Sequence, residues 1–131
     1  MNLFDRYRNP LKQARGWGSA KDGAHHFIIQ RITAVALIPL GLYFLWLVIS
    51  LVGSDYATAR ATVSAPWNAV LLSAFLIAMF WHSQLGLQVV IEDYVKTRWL
   101  AATSHLLVRF TCALAALASV FAVIRIAVAS A

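Results

Sequence analysis

One cysteine, Cys112, is all the thiol chemistry this chain has. A lone thiol excludes an internal disulfide, a CxxC redox pair and an iron–sulfur cluster held by the chain's own cysteines. Within an apolar stretch it reads as a small packing residue. Charge is scarce as well: five Asp and Glu and eleven Lys and Arg in 131 residues, clustered rather than spread as a soluble domain would need. No GxGxxG, P-loop or nucleophile elbow occurs, so the usual dinucleotide, nucleotide and serine-hydrolase sites are excluded. Redox chemistry would have to come from a haem or from partner subunits.

What the sequence has instead is apolar length. Ile32 to Ser54 is 23 residues without an Asp, Glu, Lys or Arg, and Ala61 to Ile91 is 31. A helix crosses a ~30 Å hydrocarbon core with ~20 apolar residues, so each stretch predicts one membrane span. Arg109 and Arg125 bracket 15 more uncharged residues, Phe110 to Ile124. That is ~22 Å of helix, which the arginine stems extend to bilayer thickness by snorkelling. The expected fold is therefore an all-α integral membrane protein with three transmembrane helices, at about 30–53, 66–91 and 104–128. Pro39 and Gly41 in the first span predict a kink or a close helix approach and not a break. The first apolar run follows thirty polar and basic residues, unlike a cleaved signal peptide, so the first span is expected to stay.

Residues 1–26 form a basic arm with Arg6, Arg8, Lys12, Arg15 and Lys21 against Asp5 and Asp22. Gly16, Gly18 and Gly23 argue against one long helix there. Leu3, Phe4, Tyr7 and Leu11 recur at helical spacing, enough for a short amphipathic turn. Beside a membrane span such charge anchors the cytoplasmic side rather than binding nucleic acid. The loop at about Ser54 to Pro66 carries only Arg60, whereas the next carries Lys96 and Arg98. The positive-inside rule then puts the N-terminus in the cytoplasm and the C-terminus in the periplasm, with Trp17, Trp67 and Trp99 near the boundaries.

His82 precedes Glu92 by ten residues, ~15 Å of helix, which places an ionisable side chain deep in the second span. Such a residue marks a functional site by default, against the plainer reading of an interhelical hydrogen bond. Phe75, Ala78, His82, Gly86, Val89 and Asp93 share one narrow arc. Gly86, one turn from His82, would leave room for a flat macrocycle beside the imidazole, or for another helix. Gln84 and Gln88 lie on the other side and need hydrogen-bond partners. No other histidine has the depth of His82: His25 and His26 precede the first span, and His105 lies one turn before Arg109. A second axial haem ligand would have to come from another polypeptide. At the cytoplasmic helix ends, Arg31, Glu92, Asp93 and Tyr94 are either ordinary end charges or a surface site for a quinone and for haem propionates.

The run from His82 through Gly86 to Glu92-Asp93-Tyr94-Val95-Lys96 resembles the H-x3-G-x6-D-Y-V segment of the hydrophobic membrane-anchor family of succinate dehydrogenase. Gly23-Ala-His25-His26-Phe-Ile-Ile-Gln-Arg31-Ile-Thr33-Ala34 resembles that family's entry to its first helix. The sister anchor of the same enzyme usually carries an Arg-His pair after the glycine, where this chain has Leu87-Gln88, so the hydrophobic anchor is the better match. The likeness runs from about residue 17 to 98; beyond that the chain matches only in being hydrophobic.

The resemblance implies a subunit of complex II in a bacterial inner membrane, serving the tricarboxylic acid cycle and respiratory electron transport. It would attach the flavoprotein and iron-sulfur subunits to the lipid bilayer, hold haem b together with the sister anchor, and help form the ubiquinone site. It further implies His82 as the axial ligand to the haem iron, Tyr94 beside Asp93 as quinone-binding residues, and His25 and Arg31 as neighbours of the propionates. The chain would have little activity alone. A fumarate reductase anchor shares this architecture, and a non-redox membrane protein, such as a small transporter or scaffold, is the rival from another class.

Overall fold

The computed structural model describes residues 20–129, with side chains from His25 onward. The amphipathic repeat at Leu3 to Leu11, Trp17 and most of the basic arm lie outside the described residues. Four helices follow in order: α1 (Ala20–Ser50), α2 (Tyr56–Ser64), α3 (Pro66–Tyr94) and α4 (Arg98–Val128). Three are long and apolar enough to cross a membrane: His25–Ser50, Pro66–Tyr94 and Arg98–Val128, with mean hydropathies of 2.4, 1.6 and 2.2. A helix apolar on every side has no solvent face, so its partners are lipid and other helices. Only Leu47, Leu85, Ile91 and Val123 are buried among the described residues, while Trp46, Leu117 and many like them are exposed.

The helices outrun the apolar stretches that predict them. α1 begins at Ala20 and runs through Gly23 and Pro39, and α4 begins at Arg98, ahead of the expected 104. Pro39 does not break the helix, as expected; at Gly41 an added Cβ would meet nothing within 4 Å, so this chain makes no close helix approach there. The expected loop after the first span contains α2 instead. Gly53, at φ 79°, turns the chain. Asp55 then caps α2 by accepting the Thr58 N–H at 3.0 Å, and Pro66 opens α3 at a position where its missing N–H costs nothing.

α1 and α4 each pack on α3 and not on each other, so the spans form a row with α3 in the middle. Phe44 of α1 and Phe75 of α3 stack at 4.6 Å, which fixes the depth of one against the other. At the α2 end, the Tyr43 hydroxyl donates to Asn68 Oδ1 at 2.8 Å, and Asn68 Nδ2 donates to the Thr62 carbonyl at 2.7 Å. Arg60 of α2 reaches the Ala129 carbonyl at 3.2 Å, tying the short helix to the end of α4.

Candidate functional site

His82 is half-buried on the α1 side of α3, and its Nδ1 lies 3.1 Å from Thr33 Oγ1. The Thr33 hydroxyl also approaches the carbonyls of Ile29 and Gln30, each at 3.0 Å. A hydroxyl has one proton and two lone pairs, and with its proton turned to those carbonyls it meets the imidazole as an acceptor. The tautomer that fits this contact has the ring proton on Nδ1. Nε2 is left with its lone pair free, the state in which a histidine binds a metal. Among the described residues no three His, Cys, Asp or Glu side chains converge on a point that could hold a metal ion, so His82 is a single donor.

Beside it the structure keeps space. A Cβ built on Gly86 would meet nothing within 4 Å, so no helix of this chain uses that glycine for packing. The arc read from the sequence divides in two: Phe75 at its deep end packs on Phe44, while Asp93 at its shallow end is exposed. Tyr94 closes α3 and is 81% exposed, with its phenol free of partners among the described residues.

The head of α1 separates residues that the resemblance groups together. The Arg31 guanidinium lies over the Phe27 ring, 4.6 Å from its centroid. His25 instead lines a cleft with His26, Gln84, Gln88, Glu92 and Arg109, and six residues of helix put His25 and Arg31 ~120° apart. His26 Nε2 is buried without a hydrogen-bond partner. Gln88 donates to Glu92 at 2.9 Å, which answers part of the need for partners noted in the sequence.

Residues 5–129 match the family described as succinate dehydrogenase/fumarate reductase transmembrane subunit. The chain belongs to that family. It is similar to the succinate dehydrogenase hydrophobic membrane anchor subunits of Rickettsia bellii, with 34% identity over 89% of this chain and 94% of the relative, and of Rickettsia typhi, with 28% over 92% and 96%. That of Paracoccus denitrificans is 32% identical over 70% of each chain. As a succinate dehydrogenase membrane anchor with three apolar helices, the chain is a multi-pass membrane protein and fits the bacterial inner membrane.

Within this family framework, sequence reasoning missed Thr33. It lies in the run that carries the resemblance, and a hydroxyl in an apolar helix is the signal the sequence offers for it. It also missed that Arg109 shares a cleft with Gln84 and Gln88, because the start of α4 at Arg98 is not visible in hydropathy.

Proposed function

We propose that this chain is the membrane anchor of a succinate:quinone oxidoreductase, attaching a flavoprotein and an iron-sulfur subunit to the bilayer and contributing half of a haem b site and part of a ubiquinone site. The observation that supports the haem reading best is the Thr33–His82 contact, which engages Nδ1 and leaves Nε2 for a metal next to the space at Gly86. A haem held there would supply one-electron transfer. The chain's own parts would be Thr33, which holds the ring, His82 as a ligand to the haem iron, and Gly86, which leaves room beside it. The second ligand would come from the sister anchor. The Arg31 guanidinium, over Phe27, has no carboxylate partner among the described residues and suits a haem propionate. His25 would join it only by turning out of its cleft.

Tyr94, exposed at the end of α3, donates a hydrogen bond to a quinone carbonyl at the membrane surface, and the adjacent Asp93 orients it or shares its proton network. This end of the row faces the cytoplasm, where the iron-sulfur subunit approaches; the excess of Lys and Arg in the arm and at Lys96 and Arg98 motivates that orientation. The test of the haem reading is the optical spectrum of the purified complex carrying His82→Ala. A low-spin b-type spectrum should vanish or change shape, and an unchanged one would remove His82 from the site. The family's description covers fumarate reductase too; assaying membranes in both directions with succinate and quinone distinguishes the two.

A further inference from the structure

On one side of the helix row lies a cleft of about 490 Å³ that takes lining residues from all three spans: His26 and Ile29 from α1, Gln84, Gln88 and Glu92 from α3, and Arg109 from α4. Of the residues proposed for haem and quinone, His25 alone lines it too. Gln88 is two residues beyond Gly86, and Tyr94 two beyond Glu92, so each pair points ~200° apart around α3. Gln84 also lines a second space of about 350 Å³ running inward between α3 and α4, against Ile77, Phe80, Trp81, Cys112 and Ala113. A polar chamber near the membrane surface and an apolar slot thus border the same side chain, Gln84.

Neither Arg109 nor Glu92 has an ionic partner among the described residues. His26 Nε2 is buried without a partner, a state that buried polar groups seldom keep. The Arg109 backbone stands eight residues from Leu117, the centre of the Phe110–Ile124 stretch, ~12 Å along the helix. That is just inside the edge of a ~30 Å hydrocarbon core, and its side chain reaches outward to the headgroups. At the outer end, Gln88 holds the Glu92 carboxylate, two turns beyond Gln84. A cation and a carboxylate set at different depths over an apolar slot match an anionic group, an ammonium and an acyl chain.

We infer that this cleft binds one phospholipid with a zwitterionic amino headgroup, the phosphodiester on Arg109, the ammonium at Glu92, and an acyl chain in the slot beside Phe80 and Ala113. A quinone, being neutral, would leave both charges unanswered. A free phosphate would leave the slot empty. The bound lipid joins α1 to α4, which do not touch.

Native mass spectrometry of the intact complex, stripped of lipid in detergent and re-supplied with phosphatidylethanolamine or phosphatidylglycerol, tests this. One phosphatidylethanolamine should be retained for each copy of this chain. Arg109→Gln should weaken retention about tenfold, the worth of a charge-assisted contact, and Arg109→Lys should keep most of it. Glu92→Gln should shift the preference toward phosphatidylglycerol, and Ala113→Phe should expel the lipid by filling the slot. Co-purification of all subunits verifies assembly in each variant. Retention unaffected by Arg109→Gln and Ala113→Phe, competition by inorganic phosphate alone, a quinone retained in place of lipid, or a partner polypeptide cross-linking to position 88 would each overturn the assignment.

Discussion

Thr33 and His82 join two membrane spans through a single contact of 3.1 Å between Oγ1 and Nδ1. The threonine holds Nδ1 of the ring, so at the proposed haem site its removal acts on Nε2 without touching it. In Thr33→Val the shape is kept and the acceptor lost, and haem retention should fall ~10- to 100-fold, as for other partners that hold a metal-ligating histidine. Thr33→Ser should restore both the spectrum and the midpoint potential. A valine variant with an unchanged potential would show that the contact is packing alone.

Tyr94→Phe removes one hydroxyl from an exposed helix end, so assembly and succinate oxidation with a soluble dye should survive. Quinone reduction should fall by ~10² to 10³ in rate, the usual effect of losing a donor used in the transition state. Asp93→Asn should give a milder form of the same defect, since the amide still accepts a hydrogen bond. Parallel losses with dye and quinone would mean failed assembly.

The orientation of the row is open to a direct reading. A reporter fused after Ala131 should be active only if it works in the periplasm, and one placed at Lys96 only if it works in the cytoplasm. Fluorescence from a cytoplasmic reporter at Ala131 would contradict the arrangement.

Acid should loosen α2 before the spans. Hydrogen bonds from the Thr58 side chain and backbone N–H hold the Asp55 carboxyl below its ordinary range. The folded value being the lower one, the cap's contribution is fully present above the unfolded pKa of about 3.9 and is lost as pH falls through the folded value. Hydrogen exchange at Thr58 and Ala59, corrected for intrinsic rate, should lose protection only below that range. Asp55→Asn should keep the cap and remove its pH dependence.

Asn68 ties Tyr43 of α1 to Thr62 of α2 through two short bonds. Asn68→Ala leaves the half-buried Tyr43 hydroxyl without its acceptor, a loss of about 1–3 kcal/mol. Thermal dissociation of the purified complex should shift down accordingly, and the double variant with Tyr43→Phe should recover part of the loss.

Three spans and their order were legible because hydropathy and charge are written along the chain itself. α2 was not, because nine residues of mixed polarity carry no hydropathy signal and their helix depends on the cap at Asp55 and the proline at Pro66. Neither was the pairing of His82 with Thr33, which sets residues 49 apart in sequence at one level. The cleft at Arg109 depends on how far α3 and α4 continue beyond their apolar cores, and polar helix ends conceal that.

Among the described residues α1 packs on α3 alone, and α4 on α3 and the short α2, so each outer helix turns much of its circumference outward. A copy that finds no companions therefore lies in the bilayer with the Gly86 hollow open to lipid, and removal of such copies by membrane proteases would couple its amount to theirs. The steady-state amount of this protein should track the scarcest of its companions, so a row of helices too thin to satisfy itself acts as a gauge of stoichiometry.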